Sequence, residues 1–262
     1  MVALINSNVK DFSKHPQLLD VHVARIKMAR AKATTYMAET PLLNFGLIMQ
    51  NNFIPDHSSE KILREIEVVG VGDAKRRDSI VSLQNYNHAS KDCSYRIWEA
   101  LRTIYNHLIP EIASKFWANL YMQHIMNTPI DNDQQKVFHS DTFFPAVKFW
   151  YFPHSVMKDN GCFRYVPYSP VLTEALLDWH TRQVEKIKRN DVEAWRGNGH
   201  REGSLRISLE EIADLGLAPI DVEVEPNTLL IANVFGFHAR GPTVEPCHRY
   251  SLHGSIRIDR PI

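Results

Sequence analysis

The chain has 262 residues, of which 44% are hydrophobic, so it can bury a sizeable core as one large domain or two small ones. Lys+Arg and Asp+Glu number 30 each, and that balance argues against bulk electrostatic binding to nucleic acid or to an anionic membrane surface. Three cysteines (Cys93, Cys162 and Cys247) with no CxxC pair argue against a disulfide framework or zinc ribbon, and no run reaches the ~18 apolar residues of a membrane span, so a cytoplasmic protein is expected.

Residues 14–40 carry Leu18, Val21, Ile26, Ala29 and Ala33 at helical spacing, which predicts a helix. Residues 41–54 read as irregular, with Pro41 and Gly46 as punctuation and Pro55 just beyond. Asp56 or Ser58 then caps a short helix through Glu67. Residues 92–118 read as helix, starting near Asp92 and interrupted by Pro110. The texture changes at WANLYMQHIMNTP (117–129), which predicts a strand ending at Pro129. A polar loop leads to an extended stretch at VFHSD. AVKFWYFPHSV (146–156) predicts a buried strand, KDNG (158–161) a turn with the Asn-Gly hairpin signature, and CFRYVPYS (162–169) the returning strand.

Residues 172–196 are charged and amphipathic and predict a helix, followed by the glycine-rich loop GNGHREGS (197–204). Ser208 and Glu211 fit a capping box opening a short helix, and Gly216 fits its stop. DVEVEPNTLLIAN (221–233) and HRYSLHGSIRI (248–258) predict strands flanking GFHARGPTVEPC. The expected fold is therefore one α+β domain over residues 1–262. Its helical part, about 1–116, packs on one face of a jelly-roll-like double sheet at about 117–258, with a helical insertion at about 172–216.

Thirteen histidines invite a search for a metal site. In His139-Ser140-Asp141, residues i and i+2 of an extended strand share a face, so an imidazole and a carboxylate can bind one metal ion. A third ligand must come from far along the chain. His238 is the best candidate, because it follows the hydrophobic stretch TLLIANVFGF and adjoins the turn ARGP. Two histidines and one carboxylate make the facial triad of non-haem ferrous oxygenases, which leaves room for a bidentate cosubstrate and dioxygen. Arg249 and Ser251 share one strand face beyond it. A guanidinium with a hydroxyl beside it suits the distal carboxylate of 2-oxoglutarate. His248 is rejected as third ligand because it adjoins Arg249. His200 and Glu202 form a second His-x-acid pair, but on a loop with no rigid element to fix it. The three cysteines give no nucleophile signal, since none lies in a recognisable Cys-His context, and no G-x-S-x-G elbow, Walker loop or Rossmann fingerprint is present.

Residues 117–258 resemble the core of the phytanoyl-CoA dioxygenase family of ferrous, 2-oxoglutarate-dependent oxygenases. HSD resembles its HxD motif, and AVKFWYFPHSVMKDNGCFRYVPYSP its Trp, turn, Asn-Gly-Cys and Val-Pro phrases. FHARGPTVEPCHRYS resembles its distal histidine followed eleven residues later by the cosubstrate arginine, here His238 and Arg249. The resemblance implies a double-stranded β-helix of the cupin-like, jelly-roll type. It implies Fe(II), 2-oxoglutarate and O2 as cofactors, with succinate and CO2 released as a small organic molecule is hydroxylated or otherwise oxidised. It places Trp150 and His124 near the cosubstrate and Thr142 at the site's edge. Asp141 stands where related halogenases carry Gly or Ala, so oxidation is expected rather than halogenation. The chain departs from the family at Tyr168, Pro170 and Arg240.

Arg164, His200 and Arg201 are candidate substrate contacts, suited to an anionic or polar small molecule, and the insertion is a candidate lid. Two other classes stay open: a cupin-like metalloenzyme that does not use 2-oxoglutarate, and a non-catalytic jelly-roll binding module.

Overall fold

The computed structural model describes residues 41–69, 80–85, 99, 121–129, 133–140, 146–171, 173–188 and 205–257. The helix expected at 14–40 lies outside them, as does 92–118 apart from Glu99, which is helical.

Two antiparallel sheets form the body. β1 (Leu47–Gln50), β2 (Ile80–Asn85), β3 (Tyr121–Asn127), β5 (Ala146–Phe152), β9 (Thr228–Asn233) and β11 (Cys247–Arg257) make a six-stranded sheet in the order β1-β9-β5-β11-β3-β2. β4 (His139–Ser140), β6 (Phe163–Tyr165), β7 (Leu205–Arg206), β8 (Ile220–Val222) and β10 (His238–Arg240) make a five-stranded sheet in the order β7-β4-β10-β6-β8. The α-helices among the described residues include α1 (Pro41–Asn44), α2 (Asp56–Val69), α3 (Glu174–Lys188) and α4 (Leu209–Asp214).

Strand alternation places the core. Leu47, Trp150, Phe152, Leu230 and Ala232 of the larger sheet pack with Phe163, Tyr165 and Val222 of the smaller one, so the two sheets lie face to face. Behind the five-stranded sheet a second cluster joins Phe138, Leu205, Ile207, Phe237 and Ala239 to Leu176 and Trp179 of α3 and Ile212 of α4. On the outer side of the six-stranded sheet the Ser59 hydroxyl of α2 meets the Tyr151 hydroxyl at 2.6 Å. This is a jelly-roll-like arrangement with α2, α3 and α4 outside the two sheets. None of the described helices is long and apolar enough to cross a membrane.

Several local expectations are met. The capping box at Ser208 and Glu211 forms in full, and Gly216 ends that helix at φ +70°. Others are corrected. Residues 41–54 contain α1 and β1 rather than irregular chain, because β1 completes the edge beside β9. The run 221–233 is two strands, broken at Pro226 and Asn227, where Asn227 takes φ 59°. β10 and β7 arise where a turn and a loop end were expected. Each is too short to read as a strand on its own, and pairing makes it one.

Candidate active site

The site begins with one row of the five-stranded sheet. His238 pairs in register with His139 on one side and with Tyr165 on the other. Tyr165 faces the core between the sheets, and Ala239 and Phe138 face the outer cluster, so both histidines project into the interior. Their rings lie 4.6 Å apart, and both are almost fully buried.

Each imidazole is held the same way. His139 Nδ1 donates to the Val137 carbonyl at 2.8 Å and His238 Nδ1 to the Gly236 carbonyl at 3.0 Å, in both cases two residues back. A carbonyl only accepts, so the proton sits on Nδ1 and the lone pair on Nε2, as a metal ligand requires. Gly236 must be a glycine, since a Cβ there would meet Ser169 Oγ at 2.8 Å and Pro170 Cγ at 2.9 Å. Phe163 stacks on the His238 ring at 5.7 Å and meets Trp150 at 5.0 Å. Trp150 therefore lines the interior as an aromatic wall.

Arg249 and Ser251 come from the opposite sheet. Trp150 faces inward and pairs with His253, which sets the parity of β11 and turns Arg249 and Ser251 inward too. Both are buried. The Arg249 guanidinium donates to the Gly161 carbonyl at 2.6 Å. Its Nε and the Ser251 hydroxyl are buried without a hydrogen-bond partner. Two orphaned polar groups on one inward face fit a carboxylate guest, which would accept from both. Burial and the neighbouring Arg240 cation push the Arg249 guanidinium down to about 9, as expected of a cation lacking its anion.

Arg240, two residues beyond His238, is buried against Asp133 at 3.2 Å and donates to Asn127 Oδ1 at 3.0 Å. Asp133 also accepts from the Gln135 amide at 2.9 Å, which fixes the turn leading into His139. The Cys162 thiol is pushed up to about 11, mainly by burial, and so is no nucleophile.

Two expectations do not survive. His124 pairs with Tyr250, not Arg249, and so lies on the outer face of the six-stranded sheet. There it stacks on the Tyr250 ring at 4.5 Å, and its Nε2 lies 2.8 Å from His248 Nδ1. Gln123, one residue earlier, shares the Ser251 face instead. Arg164 also points outward, because Phe163 and Tyr165 take the core side. It binds Asp221 at 2.7 Å and covers the Phe138 ring at 5.0 Å. Trp179 and His180 of α3 are buried against Phe237 and Phe235. Asp141, Thr142, His200 and Arg201 lie outside the described residues, and among the described residues no group of three potential ligands is gathered.

Sequence reasoning passed over Arg206, Gln123 and the Arg240–Asp133 pair. The alternation Leu205-Arg206-Ile207 was the available signal for the first, and counting back from Arg249 across the strand pair for the second.

No family model matches the chain, and no curated protein matches it. Solved structures do. The epimerase SnoN, in complex with Fe3+, α-ketoglutarate and nogalamycin RO, has a TM-score of 0.54 at 11% identity over 88% of this chain and 83% of SnoN. AviO1 from Streptomyces viridochromogenes Tue57 has a TM-score of 0.52 at 12% identity over 88% of this chain and 97% of AviO1. Apo HygX from Streptomyces hygroscopicus has a TM-score of 0.52 at 14% identity over 84% of this chain and 88% of HygX. At such identities the likeness is one of fold. The chain shares the fold of SnoN, a non-haem α-ketoglutarate-dependent epimerase, and of the other two.

Proposed function

We propose that this protein is a non-haem, Fe(II)- and 2-oxoglutarate-dependent oxygenase that hydroxylates or otherwise oxidises a small organic molecule. One observation carries the reading: two Nε2-presenting histidines on one sheet and an orphaned Arg–Ser pair on the facing sheet project into the same interior. The shared fold with SnoN, bound there to Fe3+ and α-ketoglutarate, supports it.

In this reading His139, Asp141 and His238 hold Fe(II), and Arg249 with Ser251 receives the distal carboxylate of 2-oxoglutarate. When bound, the metal, 2-oxoglutarate and O2 supply the oxidation, with release of succinate and CO2. The chain contributes orientation and dryness. The Nδ1–H bonds to Val137 and Gly236 lock both imidazoles. Trp150 and Phe163 line the interior with aromatic surface that excludes water. The Gly161 carbonyl aims the Arg249 fork. Thr142 borders the site, and His200 and Arg201, on the insertion, are candidate substrate contacts. The whole chain acts as one domain in a cytoplasmic enzyme.

The test is anaerobic titration of the apo-protein with Fe(II) and 2-oxoglutarate, following the visible metal-to-ligand charge-transfer band. A band that is lost in Asp141→Ala and weakened in Arg249→Ala supports the reading. Metal binding without a band indicates a cupin-like metalloenzyme, and no metal binding indicates a binding module.

A further inference from the structure

β7 is supplied by the insertion rather than by the core, and it extends the five-stranded sheet beside β4. Leu205 and Ile207 are buried in the outer cluster with Phe138 and Trp179. Arg206, between them, therefore turns to the opposite face, toward the interior. In register Arg206 pairs with His139, and His139 pairs with His238. The three residues form one row across adjacent strands. Strand spacing of about 4.8 Å sets the Arg206 backbone about 5 Å from that of His139. Arg206 is only 7% exposed.

Among the described residues, two other inward arginines have tasks of their own. Arg240 is paired with Asp133, and Arg249 lies on the far sheet with Ser251. A guanidinium beside the metal-binding row binds an oxyanion in bidentate fashion, and strongly where water is excluded. We propose that Arg206 is a substrate-recognition residue that takes the carboxylate or phosphate group of a small anionic substrate next to the metal. The inference rests on the oxygenase reading above and adds the substrate class to it. It also assigns selection of the substrate to the insertion. Anionic-substrate recognition thereby moves from Arg164, which faces outward, to a residue on the metal-bearing face.

The experiment uses the full chain loaded anaerobically with Fe(II) and 2-oxoglutarate. Benzoate, phenyl phosphate and benzamide are titrated in while the charge-transfer band is followed. Phenyl probes match the aromatic wall of Trp150 and Phe163, and benzamide is the neutral isostere of benzoate. The expected result is that at least one anion perturbs the band without abolishing it, and that benzamide is about tenfold weaker or worse. Arg206→Gln should weaken the anion by about tenfold or more, and Arg206→Lys should recover part of the loss. The stronger of the two anions identifies the oxyanion. Equal binding of benzoate and benzamide, no response to either anion, or wild-type affinity in Arg206→Gln overturns the proposal. Loss of the band itself in Arg206→Gln also overturns it, by making Arg206 a support for the metal-ligand strand. If the wild-type protein forms no band, the oxygenase reading fails and this proposal falls with it.

Discussion

Gly161 and Arg249 are joined by a 2.6 Å hydrogen bond that ties the candidate cosubstrate cation to the turn opening β6. Gly161 is at φ +84°, and a Cβ there would meet Asn127 Nδ2 at 2.5 Å. That position charges any other residue about 1–2 kcal/mol for its backbone alone. Gly161→Ala is therefore expected to lose at least that much stability in urea denaturation. It should also weaken 2-oxoglutarate binding several-fold by calorimetry, because the carbonyl that aims the fork moves. Unchanged cosubstrate affinity in a destabilised variant would show that this hydrogen bond does not orient Arg249.

Removing the cation is a harsher change. Arg249→Ala deletes one partner of a buried charge pair, which costs about 2–5 kcal/mol of 2-oxoglutarate binding. Ser251→Ala removes a single hydrogen bond to a charged group and should cost about 1.5–3 kcal/mol. Calorimetric titration with the metal in place measures both, and Ser251→Ala exceeding Arg249→Ala would contradict the assignment.

The pH dependence follows from burial. Burial, with the Arg240 cation beside it, holds the folded-state value for Arg249 at about 9, well below its ordinary value. Between those values the unfolded chain holds the extra proton, so this group's contribution to apo stability rises with pH there. Anion binding has the opposite sign, because it needs the cation. The thermal stabilisation given by 2-oxoglutarate should therefore shrink as pH rises through about 9, which differential scanning fluorimetry can follow.

Part of the inward-facing row was legible because strand alternation is local. The spacing in Arg249-Tyr250-Ser251 assigns that pair to one face without knowledge of any partner strand, and both side chains turn inward. His124 was misread for the converse reason. Its face depends on the β3–β11 register, which pairs it with Tyr250 and leaves Gln123 facing inward. Arg164 was misread in the same way, since only the pairing of Tyr165 with His238 fixes which residues of β6 face the core. His124→Ala should accordingly leave 2-oxoglutarate affinity unchanged, and a marked loss would mean that the outer face communicates with the site. For Arg206 the alternation Leu205-Arg206-Ile207 was the one signal, and a two-residue strand has no longer period to support it.

The Arg240–Asp133 pair offers the sharpest test of how the interior handles charge. Side-chain exposure is 4% for Arg240 and 10% for Asp133, so the pair is desolvated and solvent screening gives little relief. Breaking such a pair from one side typically costs about 3–5 kcal/mol, whereas replacing both partners by apolar groups is often nearly neutral. Asp133→Ala should fall in that range, since it strands the Arg240 cation and removes the acceptor for the Gln135 amide. Asp133→Ala with Arg240→Met should recover most of the loss in urea denaturation. Arg240→Met alone has a second, separable effect. Arg240 is one of the groups that lowers the Arg249 guanidinium, so its removal should shift the alkaline limit of 2-oxoglutarate binding upward from about 9. A limit that stays in place would mean that burial alone, and not the neighbouring cation, sets the Arg249 charge.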